Sequence, residues 1–409
     1  MLKGHRLAVL APDIPWPANR GGRADVWRRI QALRTHGAAV FLIHLYEPAG
    51  RLQPSKEELG HVAQHVDGHD CFPMRRGPLL TLKRLAGASR VPWHAATRVP
   101  LPSERERLMQ RLKEFAPTAV WLEGPWFGEL GRDVAKALDV PLVYRSHNVE
   151  FRYLRGQADA AARLRDRVAW RLACLGLERY ELMLMRSARA VFDISIDDLG
   201  YWRSRGIQHA RWLPPIPEMA LSPVSDPPVC GDIVFSGNLR TPNNLLGLQW
   251  LLEEVMPRVW RHAPDARLRI VGSAPSAELQ ERIRALRNVD ASYDVPSVQP
   301  YVMGARALAN PVFVGSGVQL KTLDMLSTDV PIVTRAQGLR GLPPELTQIL
   351  RVADEPEAFA SALVAARAGP DPWRAQRIEF RQQFTTTGIA RTVDEGLISI
   401  DNAGRSARS

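Results

Sequence analysis

Cysteine is scarce in this sequence: Cys71, Cys174 and Cys230 are the only three in 409 residues. They are odd in number and widely spaced, which excludes a disulfide framework, argues against a structural zinc site and fits a reducing compartment. No uninterrupted apolar run is long enough to span a bilayer. The opening MLKGHR leads straight into a strand-length apolar stretch rather than a leader peptide, so the expectation is a soluble, cytoplasmic chain. A G-x-x-x-x-G-K-[ST] loop is missing, which argues against an NTPase. Zinc-finger spacing, an RNA-binding aromatic signature and a basic heptad helix are missing too, so the net charge of +11 is not assigned to nucleic acid. All of that charge falls within residues 1–215, and the remainder of the chain is close to neutral. It points to an anionic membrane surface or a phosphate-bearing lipid.

What is present is α/β alternation. Arg6–Ala11 (RLAVLA) and Ala38–Leu45 (AAVFLIHL) have the continuous apolar character of buried parallel strands, and Gly22–Thr35 between them is an amphipathic helix. The connecting loop, PDIPWPANRGG, brings Gly21 and Gly22 to the helix start at the carboxyl edge of the sheet. There the unpaired N–H groups can take an anion, with Arg20 and Arg23 beside them. His61, His65 and His69 recur at helical spacing, but Gly68 interrupts the helix. Asp67, Asp70 and Cys71 lie near them, but catalytic zinc motifs pair their histidines with a placed carboxylate base, so these histidines are expected at a solvated helix end and no metal is assigned. Phe72–Arg98 alternates Leu79, Leu80, Leu82 and Leu85 with Arg75, Arg76, Lys83, Arg84 and Arg90. That pattern suits either an interfacial basic helix or one packing its leucines inward.

Two further strands, Thr118–Glu123 and Val140–Ser146, end in the loops Gly124-Pro125-Trp126 and His147-Asn148-Val149-Glu150. A histidine in such a loop can donate to a sugar hydroxyl or transfer a proton. A long helical stretch is expected over roughly Ala160–Ser187, then a strand at Ala190–Ser195. The proline-dense stretch 214–231 reads as a linker. After it the alternation restarts: strand Asp232–Ser236, helix Asn244–Ala263, strand Ala266–Val271, helix Ala277–Leu286, and an extended run from Asn310 into a glycine turn. In that turn Gly315 and Gly317 flank Ser316, and a helix from about Val318 to Ser327 follows. Lys321 can meet a phosphate from this helix and Asp324 can accept from a diol, which together suggest a nucleotide sugar.

The order and spacing of several motifs resemble glycosyltransferase family 4, the retaining GT-B enzymes common in bacterial surface-polysaccharide synthesis. These are the N-terminal strand with P-x-x-P and Gly21-Gly22, SHNVE at Ser146–Glu150, ERYELMLMRSARAVFDISIDD at Glu178–Asp198, VFSGNLRTPNN at Val234–Asn244, LRIVG at Leu268–Gly272 and GSGVQLKTLDML at Gly315–Leu326. The resemblance implies a fold of two Rossmann-like domains facing each other across a cleft. An acceptor-binding domain would span 1–213, a linker 214–231 and a nucleotide-sugar domain 232–372. A helix over 373–400 would cross back to the first domain, and a disordered tail would end the chain at 401–409.

The resemblance further implies a nucleotide-sugar donor, a saccharide or lipid-linked acceptor, no cofactor and no obligatory metal. It puts His147 near the transferring sugar as the catalytic residue. Gly21, Gly22, Gly237, Gly315, Ser316, Gly317 and Lys321 would lie around the donor diphosphate. Arg240 would stand in for the arginine and lysine that the family often has after the glycine of its second-domain first strand. Of the two glutamates in the family's E-x7-E motif, Ser316 replaces the first and Asp324, one methylene shorter, the second. A binding-only homologue and a GT-B sugar-nucleotide epimerase remain alternatives.

Overall fold

A computed structural model describes residues 1–18, 21–48, 53–75, 91–96, 98–220, 231–314 and 317–406. Arg20, Gly315, Ser316, Cys230, most of the basic Phe72–Arg98 segment and most of the proline-dense stretch lie outside the described residues. The chain divides into two compact units, Met1–Pro215 with Thr386–Ser409, and Ile216–Thr385.

The first unit is built on a seven-stranded parallel sheet, β1 (Arg6–Ala11), β2 (Ala39–Tyr46), β3 (Gly68–Pro73), β4 (Ala119–Glu123), β5 (Leu142–Ser146), β6 (Ala190–Asp193) and β7 (Ala210–Trp212), in the order β3-β2-β1-β4-β5-β6-β7. Helices cover both faces, which is why β1 and β4 are apolar at all but one position each and why β1, β4 and β5 are almost wholly buried. The chain leaves β1 toward β2 and β3, then returns to the other side of β1 as β4. Connections therefore diverge at the β1/β4 boundary and leave a crevice at the carboxyl ends of these strands.

The helical stretch expected over Ala160–Ser187 begins ten residues earlier and is divided into three helices, Glu150–Ala160, Leu164–Ala173 and Leu177–Ser187. The last break falls at Gly176, whose φ of +70° is a left-handed conformation that glycine adopts without strain. The sequence also conceals β3. Its GHDCFP looks polar, but Asp70 is buried against Arg107 and Arg111 at 3.3 and 3.2 Å, and His69 is engaged by His44.

The second unit has a six-stranded parallel sheet of β8 (Gly231–Asn238), β9 (Leu268–Ser273), β10 (Val289–Tyr293), β11 (Ala305–Asn310), β12 (Ile332–Thr334) and β13 (Arg351–Val352), ordered β10-β9-β8-β11-β12-β13. Its switch point is the β8/β11 boundary. Gly237 and Gly272 are paired across β8 and β9 there, and a Cβ on Gly272 would sit 1.8 Å from the Gly237 carbonyl oxygen, so only glycine fits. The helix after β8 runs Pro242–Trp250, passes through a π turn at Leu251–Val255 and ends as Met256–His262. Pro257, which has no N–H to give to the ladder, stands two residues after that irregularity.

The single crossing helix expected over 373–400 is two. Arg374–Arg381 belongs to the second unit, where Arg377 is bound to Asp371 at 2.6 Å and to the Val330 carbonyl. Thr386–Ser406 belongs to the first unit and packs on the Gly21–Thr35 helix. Gly396 allows the close approach of that helix to β6, since a Cβ would come within 2.5 Å of the Phe192 ring. Among the described residues no helix is long and apolar enough to cross a membrane.

Candidate functional site

Each unit carries a cluster of charged and polar side chains at its own switch point. In the first unit the centre is His147, on the loop leaving β5. Its Nε2–H donates to Glu123 Oε2 at 2.7 Å, and its Nδ1 lies 3.5 Å from Asp25 Oδ2. Glu123 ends β4 and Asp25 is in the first turns of the Gly21–Thr35 helix, so three elements converge on one imidazole. Arg29, one turn beyond Asp25, bridges the two acids, reaching Asp25 at 2.8 Å and Glu123 at 2.5 Å. Arg145 of β5 approaches Asp25 at 3.3 Å and donates to the Leu213 carbonyl.

Asp25, Arg29, Glu123 and Arg145 are all nearly or fully buried, so each charge must be balanced locally. Burial pushes the Asp25 carboxyl up, but Arg29, Arg145 and His147 outweigh it and hold the group well below the ordinary carboxylate range. Glu123 has the same balance: burial opposes ionisation, and Arg29 with the His147 hydrogen bond prevails. His147 is therefore a fixed ring, pinned by ionised carboxylates rather than an exposed loop side chain. The helix that follows it, Glu150–Ala160, is fixed by Glu181, whose two carboxyl oxygens accept from Glu150 N–H at 3.2 Å and Phe151 N–H at 3.3 Å.

Gly21 and Gly22 open the helix that carries Asp25, and a Cβ on Gly22 would meet nothing within 4 Å, so space lies open above it. Arg23 is not free to meet a phosphate: it is paired with Asp13 at 2.6 Å. His61 and His65 stack on each other, with ring centroids 4.1 Å apart, and His61 stacks on Trp16. His69 turns away from both to His44, with the two Nε2 atoms 2.9 Å apart. Burial holds His44 neutral by lowering it to about 3, and its Nδ1–H donates to the Leu45 carbonyl, so the His69 Nε2–H is the donor in this pair. Cys71 lies close by and completes the one group of three such ligands found among the described residues.

In the second unit Lys321, on the Leu320–Leu326 helix, donates to Asn244 Oδ1 at 3.0 Å and lies 5.5 Å from the centre of the Phe235 ring. Asn244 in turn donates to the Asn238 carbonyl and crowds Gly237, where a Cβ would fall 2.9 Å from the amide carbon. Gly237, Asn244 and Lys321 thus form one contiguous floor. Burial alone lowers the Lys321 ammonium to about 8, and no carboxylate among the described residues pairs with it. Gly317 keeps a left-handed φ of +71° at the turn before this helix.

The other sequence-derived candidates sit differently. Arg240 is largely exposed and its guanidinium is paired with Asp294 at 3.5 Å. Asp324 Oδ1 accepts from the Glu218 N–H at 2.7 Å and the Met219 N–H at 3.4 Å, so one carboxyl oxygen ties the start of this unit to its helix. The sequence reading missed Asp25, Arg29, Glu123, Arg145 and Glu181. A signal for them existed: a charge inside an otherwise apolar parallel strand, as Glu123 and Arg145 are, requires a buried partner.

Two parallel doubly wound units of this kind define the GT-B architecture. Residues 231–367 match the model of the family described as Glycosyl transferases group 1. The chain is similar to solved structures that share its fold: Anabaena Alr3699/HepE in complex with UDP (13% identity, TM-score 0.61, 97% of this chain and 100% of that one) and sucrose-phosphate synthase from Thermosynechococcus elongatus (16%, 0.58, 98% and 100%). It is also 26% identical over 371 residues to an uncharacterized 44.6 kDa protein in the cps region of Klebsiella pneumoniae, covering 88% of this chain and 90% of the relative.

Proposed function

We propose that the protein is a retaining, metal-independent glycosyltransferase of the family 4 type. It moves a sugar from a nucleoside-diphosphate sugar to a saccharide or lipid-linked acceptor in cell-surface polysaccharide synthesis, on the cytoplasmic side of the membrane. Lys321 is the observation that carries this reading. A half-buried cation, held by a neutral amide and with no carboxylate paired to it among the described residues, sits beside a glycine-floored switch point, and this charge imbalance is what a bound diphosphate would relieve. As the glycosidic bond breaks, negative charge develops on the departing nucleoside diphosphate, and a preorganised cation stabilises it without a metal. Gly237 and Gly317 let the backbone approach the donor closely. Gly21 and Gly22 supply helix N–H groups.

His147 is the proposed catalytic residue of the first unit. With Nε2–H committed to Glu123 and Nδ1 facing Asp25, its function is that of a rigid ring whose position, more than its freedom to transfer a proton, matters to the transferring sugar. Support for a polysaccharide role comes from the cps-region relative, and support for a uridine nucleotide from the UDP complex of the Anabaena protein. The test is isothermal titration with UDP and uridine. The reading expects the diphosphate to bind far more tightly than the nucleoside, and equal affinities contradict it.

A binding-only homologue is the second reading. It is favoured by Asp324, whose carboxylate is spent at least in part on the Glu218 and Met219 N–H groups rather than left for a ribose.

A further inference from the structure

The helix Leu164–Ala173 presents its leucines outward. Leu164, Val168, Leu172 and Leu175 are 72%, 47%, 58% and 55% exposed, although their spacing of four, four and three residues puts them on one face of the helix and its continuation. On a globular surface helix the apolar stripe normally faces the core. Here the core-facing side is supplied by Trp170, Ala173 and Cys174, which pack with Leu154 and Leu177 in a small separate cluster. The outward stripe is additional.

Arginines flank it. At 100° per residue Arg171 falls on one side of the stripe and Arg165 on the other, with side chains 66% and 85% exposed. Their acidic neighbours are loose: Asp159 is 3.9 Å from Arg171 and Asp166 is 3.5 Å from Arg165. Residues 151–179 carry seven arginines against three acidic residues.

We infer that this face docks on an anionic phospholipid bilayer, with the leucine stripe entering the headgroup–acyl boundary and the arginines meeting lipid phosphates. An apolar ridge one helix wide, edged by arginines, has the geometry of an interfacial helix. A second copy is a poorer occupant. A two-fold contact through this face would bring the same arginine-rich surface of each copy against the other, with like charge on both sides. The arginines alone would suit nucleic acid, but four exposed aliphatic side chains at the centre of the patch offer phosphates nothing.

The hairpin that carries the stripe is fixed to the His147 loop. Helix Glu150–Ala160 starts three residues after that histidine, is capped by Glu181 and packs against Leu164–Ala173 through the same cluster. Docking would therefore hold the carboxyl edge of the first sheet at a defined place relative to lipid-borne molecules. The stripe lies outside the basic Phe72–Arg98 segment in the sequence. It also stands independently of the transferase reading, because vesicle binding needs no turnover.

The test is flotation of the full chain with vesicles of phosphatidylcholine alone and with about one-third phosphatidylglycerol, a content that gives a strongly negative surface. Two variants are compared with the wild type: Leu164→Ser with Leu172→Ser, and Arg165→Gln with Arg171→Gln. All four positions are exposed, so thermal unfolding and UDP binding should match the wild type. The inference expects wild-type binding to the anionic vesicles alone, weakened by salt. It expects a loss on the order of tenfold per leucine from the lost apolar insertion, and about fivefold per arginine from the lost charge. Wild-type protein that does not float, or variants that float like it, overturns the inference. A wild-type dimer that the leucine variant converts to a monomer overturns it in favour of a second copy.

Discussion

Replacing Lys321 by methionine separates a ligand-binding cation from a structural one. Burial brings the ammonium from 10.5 to about 8, which at neutral pH corresponds to a cost of roughly 3 kcal/mol for keeping it charged in the folded state. Methionine keeps the length of the stem and removes that cost. The hydrogen bond to Asn244 Oδ1 is lost, a smaller cost at this half-buried position than the charge burial that is relieved, and Asn244 Nδ2 still donates to the Asn238 carbonyl and Thr241. The ligand-free variant should therefore unfold at the same or a higher temperature, while its affinity for a nucleoside diphosphate falls by about 1.5–3 kcal/mol, the value of a charged hydrogen bond. The nucleoside should be unaffected. The sign with pH is also fixed: because the unfolded lysine binds more protons between pH 8 and 10.5, the wild type should gain stability over that range and Lys321→Met should not. At pH 8 the free protein holds about half a proton on this group, so diphosphate binding should take up about half a proton, read by titration calorimetry in buffers of different ionisation enthalpy. A variant that is less stable, or that loses nucleoside and diphosphate affinity in parallel, refutes the argument.

Asp193 is buried at the end of β6, and desolvation, with Asp198 nearby, raises it to about 7. Its folded form is protonated where the unfolded one is ionised, so stability should fall by up to roughly 4 kcal/mol from pH 4 to 7. Asp193→Asn, which keeps an acceptor for the Ser195 N–H, should flatten that dependence, and an unchanged profile in thermal melts would count against the buried-acid account. His147→Ala should lower turnover on the order of 100-fold while leaving donor affinity nearly intact, as expected for a contact made chiefly in the transition state; equal losses in both would make the residue structural. Asp324→Asn retains an acceptor for the Glu218 and Met219 N–H groups but lacks the charge. If Asp324 reads a ribose, this variant loses nucleoside affinity at unchanged stability. If it only ties down the chain, Asn is silent and Ala destabilises.

The strands at Arg6–Ala11, Leu142–Ser146 and Ala190–Asp193 are legible because burial on both faces writes them as apolar runs. β3 and β10 are not, since His69 and Asp70 in one and Asp290 and Ser292 in the other give a polar appearance that only their partners explain. The extended run assigned to Asn310 onward is shifted: β11 ends at Asn310, whose amide donates to Thr322 and Thr334 and so fixes the following segment without further strand pairing. For the site, loop position and residue type identified His147 and Lys321. What spacing could not convey is which carboxylates would surround the histidine, because Asp25, Glu123 and Arg145 are far apart in the chain and meet only once β1, β4 and β5 are adjacent. Nor could it convey that Asp324 would be engaged by backbone more than a hundred residues earlier.

The central claim is that this chain breaks the glycosidic bond of a nucleotide sugar. The most direct measurement is incubation of the purified protein with a panel of nucleoside-diphosphate sugars, without acceptor, followed by chromatography of the nucleotides. A transferase should release the nucleoside diphosphate of one donor slowly through hydrolysis, and Lys321→Met should slow that release by about tenfold or more. Interconversion of one intact nucleotide sugar into another would identify an epimerase, and binding of a donor without any consumption would identify an inactive homologue; either result contradicts the account.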